Sequence, residues 1–216
     1  MYNQPNTKLL NGCTSILEVY SKNIHHNISL VASDPSYFGL SCKDPQYIDY
    51  NNHVYNVATF KGYDNLGFNF TLKFNISVIS PKKSSYNLTD ANLRIFHLND
   101  SKSQLLFRAE FATNDIGQFH AQPHWQFEPY ITKTIKDSDF NTVLELRDSE
   151  RGLIDFGQEK SNVLNISRVH FAMTSDWHKP KKDQILGSCQ IQINEENVVS
   201  WLEGCMKYIK NQMDTL

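Results

Sequence analysis

Along residues 68–78, "FNFTLKFNISV", apolar Phe68, Phe70, Leu72, Phe74, Ile76 and Val78 alternate with Asn69, Thr71, Lys73, Asn75 and Ser77. A sustained period of two predicts a strand with one face packed and one wet, as in an antiparallel rather than a parallel sheet. Similar alternation returns at 104–112, where Leu105, Phe107, Ala109 and Phe111 oppose Leu106, Arg108 and Glu110. Between these stretches "SPKKSS" predicts a turn and 92–98 a further strand. Upstream, "HVYNVATFKG" reads as a strand ending at Gly62. Pro35, Gly39 and Pro45 punctuate 33–50, which reads as loop with little regular structure.

At both ends the period changes. Leu9, Leu10, Cys13, Ile16, Leu17 and Tyr20 recur three and four apart, predicting a helix over 7–22. Val198, Leu202, Cys205, Ile209 and Met213 form the stripe of a closing helix, with Asn194 as its N-cap. Glu195 and Glu196 near its start and Lys207 and Lys210 near its end complement the helix dipole. Short strands are expected after Pro123, over 163–173 and over 186–193. The polar, mixed stretch 129–162 suits a short helix or a hairpin, and is the candidate for an inserted lid or interface segment. The expected architecture is α+β: one domain over 1–216, mainly antiparallel sheet, with an N-terminal and a C-terminal helix packed on one face.

Composition narrows the function. At 216 residues, 40% hydrophobic and 20% charged, the chain suits a globular core. A net charge of −2 provides no global basic field, so any polyanion binding must be local. No apolar run is long enough for a membrane span, so no membrane partner is expected. No basic segment followed by an apolar run opens the chain, so no secretory signal is expected. Cys13, Cys42, Cys189 and Cys205 form no CxxC pair, which fits reduced thiols and a cytoplasmic location.

Two short segments hold four of the eight histidines: "FHAQPHWQFEP" at 119–129 and "SRVHFAMTSDWH" at 167–178. Strand parity puts His124 and Gln126 on one face and Trp125 and Phe127 on the other. It likewise puts Arg168 and His170 together, about 7 Å apart along a strand. If the two strands are neighbours, these polar residues form one island on the wet side of the sheet.

Two imidazoles suit acid–base transfer near neutral pH, and a guanidinium suits a phosphate's charge. The catalytic candidates are therefore His124, His170 and Arg168. Ligand contacts fall to His120, Gln126, Trp125, Trp177 and His178, the last two beside Lys179, Lys181 and Lys182. The function expected is a metal-independent phosphoesterase or nuclease-like enzyme acting on a phosphorylated small molecule or nucleic acid. The alternative is a non-catalytic module whose sheet face binds a phosphorylated or acidic ligand, or a protein partner. A purely structural reading competes with both, with the histidines satisfied within the sheet and Arg168 paired to Glu110.

No metal or cofactor is expected. There is no HExxH or paired-cysteine motif, and Pro123 disrupts the helical spacing of His120 and His124. Nucleotide-binding glycine loops and a GxSxG elbow are also missing.

Overall fold

The computed structural model describes residues 5–22, 28–50, 52–80, 83–99, 103–113, 122–127, 170–172 and 192–214. Helix α1 (Thr7–Tyr20) is followed by strands β1 (Ser29–Asp34), β2 (Tyr37–Ser41), β3 (Gln46–Tyr50) and β4 (His53–Phe60). Next come β5 (Tyr63–Ser80), β6 (Lys83–His97), β7 (Gln104–Ala112), β8 (His124–Phe127) and β9 (His170–Ala172). Helix α2 (Glu195–Asp214) is the last of these elements. The architecture is α+β, and every described strand pairing is antiparallel.

The long hairpin β5–β6 is the spine, and β7, β8 and β9 follow it in order along one side. The other edge of β5 is shared. Its first half pairs with β4, Ala58 opposite Phe68, and its middle pairs with β2, Phe38 opposite Leu72. Strand β1 extends β2, and β3 extends β4. Turn chemistry fixes these hairpins. Asp34 Oδ1 accepts from the backbone N and the Oγ of Ser36, both at 2.7 Å, next to Pro35. Gly62 turns the chain from β4 into β5 at φ +85°, which glycine adopts without a Cβ penalty.

Both helices cover the face carrying Phe68, Phe70, Leu72, Leu93, Ile95, Ala109 and Phe111. Leu9, Cys13 and Leu17 of α1 and Val198, Leu202, Cys205, Met206 and Ile209 of α2 complete that core. Asn6 caps α1 by accepting from Lys8 N at 3.0 Å and donates to Glu195 Oε2 at the start of α2, at 2.5 Å. At the far end Lys61 N donates to Tyr20 O, and Tyr63 Oη donates to Asp214. The helices therefore run side by side in the same direction. Asn194 accepts from Asn197 N at 2.8 Å, the capping bond its position predicts. Cys13 and Cys205 sit in the core, where burial pushes the Cys13 thiol up to about 12 and that of Cys205 up as well.

Three expectations need correction. Residues 33–50 are not loop: they hold the end of β1, all of β2 and β3. Pro35 and Pro45 lie between strands, and each strand is too short for its alternation to stand out. The polar side of β5 is not wet throughout, since Asn69 and Thr71 are buried along with Phe68, Phe70 and Leu72. At its far end the apolar side is open, with Val78 73% exposed. Leu105 does not join Phe107, Ala109 and Phe111, because a register shift between Ile95 and Phe96 sets it opposite Phe96. With Ile48, Val57, Phe96 and Leu98 it forms a second, smaller core on the face away from the helices. Gly67 lets β5 close onto this core, since a Cβ there would lie 2.5 Å from Val57 Cγ1.

The stretches 129–162 and 186–191, and most of 163–173, lie outside the described residues.

Candidate functional site

The antiparallel register turns isolated polar residues into two continuous rows on the face away from the helices. One row runs Asn69, Arg94, Arg108, Gln126, His170 across β5 to β9. Beside it runs Thr71, Asn92, Glu110, His124, ending at Ala172. The parity expected for β8 holds: Trp125 packs on the core side against Phe107 at 5.5 Å, while His124 and Gln126 lie in the polar rows. Strands β8 and β9 are direct neighbours, and His170 stands opposite Gln126. His120, Arg168, Trp177 and His178 lie outside the described residues.

Arg94 and Arg108 face each other across the β6–β7 ladder, a like-charge pair that costs stability unless each cation has separate acceptors. They diverge. Arg94 turns toward β5, its Nη1 donating to Thr71 Oγ1 at 3.2 Å and Asn69 Oδ1 at 3.5 Å, with its guanidinium 5.2 Å from the Tyr55 ring centre. Arg108 turns toward β8. Its Nη2 and Nε donate to Gln126 Oε1 at 2.6 and 3.1 Å, and Nε lies 2.9 Å from Glu110 Oε1.

Glu110 bridges Arg108 and the imidazole of His124, for its other oxygen, Oε2, lies 3.3 Å from His124 Nε2. Burial by itself would raise the Glu110 carboxyl, but the His124 hydrogen bond and the Arg108 charge outweigh it and hold the group below its ordinary value. His124 is 2% exposed, so it lies beneath the surface and not on the wet face expected for it; Arg108 and Glu110 keep 31% and 21%. Gln122, next to Pro123, anchors the entry to β8 by accepting from Ala112 N at 2.9 Å.

No family model, curated protein or solved structure matches this chain. The chemistry of the site therefore rests on its own residues. An arginine held by one amide oxygen and one carboxylate oxygen presents its remaining N–H groups in a fixed plane, an arrangement suited to an oxyanion. His124, buried against a carboxylate, orients the cluster. Among the described residues no group of three or more His, Cys, Asp or Glu side chains is placed to hold a metal ion.

Arg94, Arg108 and Glu110 do not stand out in the sequence, because each is a single charge in an ordinary alternating strand. A signal is present nonetheless. Asn69/Thr71, Asn92/Arg94 and Arg108/Glu110 are polar i, i+2 pairs opposite the apolar parity of three successive strands.

Asp90, at the end of this face, behaves opposite to Glu110. Burial raises its carboxyl above 3.8, although Asn92 Nδ2 donates to it at 2.5 Å. A raised folded-state value means that ionising Asp90 opposes folding: its favourable contribution is full in acid and disappears as pH rises through the folded value. Asp90→Asn is expected to raise the urea midpoint at pH 7. The gap from wild type should close below about pH 3.8, the unperturbed value. A midpoint difference that does not change with pH would contradict this assignment.

Proposed function

We propose that the β7–β9 side of the polar face binds a phosphorylated or carboxylate-bearing ligand, with Arg108 as the anion contact. The observation that carries this reading is the Arg108 side chain, still 31% exposed although Gln126 and Glu110 hold its guanidinium. Gln126 then acts as a positioning residue, and the His124–Glu110 pair holds the carboxylate that orients Arg108. His170, in the same row, is the second ligand contact of the proposal, and Arg168, His120, Trp177 and His178 remain its candidates outside the described residues.

Calorimetric titration with inorganic phosphate, pyrophosphate and citrate tests this. Saturable binding of at least one anion is expected, weakened about tenfold in Arg108→Gln, the ~1.4 kcal/mol of one charge-assisted contact. Binding of none of the three, or binding unchanged in Arg108→Gln, would overturn it.

Metal-independent phosphoester hydrolysis by His124, His170 and Arg168 is the second reading, supported by the carboxylate–imidazole contact of Glu110 with His124. Its test is turnover of RNA, cyclic nucleotides or small phosphoesters in the presence of a chelator. Loss of that turnover in both His124→Ala and His170→Ala favours it; unchanged turnover in both removes them as acid and base. The burial of His124 favours ligand binding over turnover.

Among the described residues no helix is long and apolar enough to cross a membrane. We place the protein in the cytoplasm, a reading supported by four cysteines spaced far apart in the sequence with no CxxC pair.

A further inference from the structure

Arg94 belongs to a different part of the molecule. Strands β2 and β4 share one edge of β5, and between their ladders Asn69 and Phe70 have no strand partner on that edge among the described residues. A cleft of about 670 Å³ opens there, between the β1–β2 hairpin and β4. Asn69, Thr71 and Arg94 line it from the central sheet, Val31 and Leu40 from one hairpin, Val54 and Tyr55 from the other. Its size falls within the roughly 300–1,000 Å³ of small-molecule sites.

The lining is unusual in two respects. Val31 and Val54 are 51% and 69% exposed, so both hairpins present apolar side chains to an open cleft. Arg94 has no carboxylate within salt-bridge distance among the described residues; Asp90 and Glu110 act on it only from further away. Its hydrogen bonds among the described residues both come from Nη1, to neutral oxygens of Asn69 and Thr71. A half-buried arginine with five donors, an aromatic ring beside it and, among the described residues, two bonds and no carboxylate at close range is suited to receive an anion.

We propose that this cleft binds a small organic monocarboxylate, with Arg94 taking the acid group and the Val31, Val54 and Tyr55 surfaces taking an aliphatic or aromatic body. The charge count selects the class. One guanidinium, one imidazole (His53) and no lysine line the cleft, so Arg94 is its one permanently charged group, which matches a monoanion better than a phosphate dianion. Apolar walls add the affinity that a lone ion pair open to water lacks. The proposal stands independently of the Arg108 reading, because the two guanidinium groups turn to opposite sides.

The probes are decanoate, phenylacetate, decanol and inorganic phosphate, titrated into the full chain by calorimetry. Decanoate is expected to bind saturably, with decanol at least about tenfold weaker because it lacks the charge. Arg94→Gln should weaken decanoate about tenfold or more, whereas Arg108→Gln leaves it unchanged. Gly39→Leu provides the second variant. Gly39 lines the cleft and a Cβ there meets open space, so the substitution fills the cleft with Arg94 in place and without a backbone clash. Loss of decanoate binding in Gly39→Leu, with the thermal melt of wild type retained, supports the site even if Arg94→Gln does not fold. No saturable binding of either carboxylate, equal binding of decanol, or binding undiminished by Gly39→Leu overturns it. So does phosphate binding stronger than that of both carboxylates that survives Arg108→Gln and is lost in Gly39→Leu, which would make the cleft a phosphate site.

Discussion

Phe68→Ala should lower the unfolding free energy by about 3–5 kcal/mol, the range for truncating a buried phenylalanine. Phe68 is fully buried on the central strand, opposite Ala58 on β4 and Ile95 on β6. Its ring meets Phe60 edge-on at 4.8 Å, and truncation removes that aromatic packing as well. The cavity has little means of collapse, because a neighbouring strand is paired on each side and the helices cover the ring. Urea denaturation followed by far-UV circular dichroism measures the loss. A change below about 1 kcal/mol would mean that the β4–β5–β6 junction can relax around the gap, against the close packing described.

The second large effect is expected at Glu110. Glu110→Ala leaves His124 buried and Arg108 without its carboxylate, and breaking such a pair from one side costs about 3–5 kcal/mol when it is fully buried. Arg108 is nearly one-third exposed, so water recovers part of the loss and about 2–3 kcal/mol is expected. A double-mutant cycle with Arg108→Ala should show strong coupling, the pair of changes costing less than the sum of the two. The pH dependence provides a further check. A carboxyl held below its ordinary value contributes stability that is present above about 4.5 and lost as pH falls through the folded-state value. The difference between wild type and Glu110→Ala should therefore be largest near neutral pH and shrink in acid. Additive single-mutant effects, or a difference that grows in acid, would dissolve the Arg108–Glu110–His124 network as an energetic unit.

These expectations show how far local pattern reaches. The alternation at 68–78 and 104–112 locates β5 and β7, and the three-and-four spacing locates both helices and the Asn194 cap, because these are properties of single segments. Strand β8 shows the intermediate case. Parity separates His124 and Gln126 from Trp125, but the burial of His124 against Glu110 depends on a strand that ends at Ala112, well before β8 begins. The short strands β1 to β3 are hidden behind Pro35 and Pro45, since punctuation marks where strands stop and equally where none exist.

What the sequence by itself determines about this protein is therefore the fold class, the terminal helices and the apolar side of β5 and of most of β7. Side-chain period and capping chemistry are written within a few residues of chain. The tertiary structure decided which charges meet. Antiparallel register aligns Arg94 with Arg108, Glu110 with His124 and Gln126 with His170, and a register shift diverts Leu105 into a second core. It also placed β2 and β4 on one edge of β5 and so opened the cleft beside Arg94. The reason is physical: register is chosen by the burial of many apolar residues at once, and a polar site on the reverse face inherits whatever alignment that burial selects.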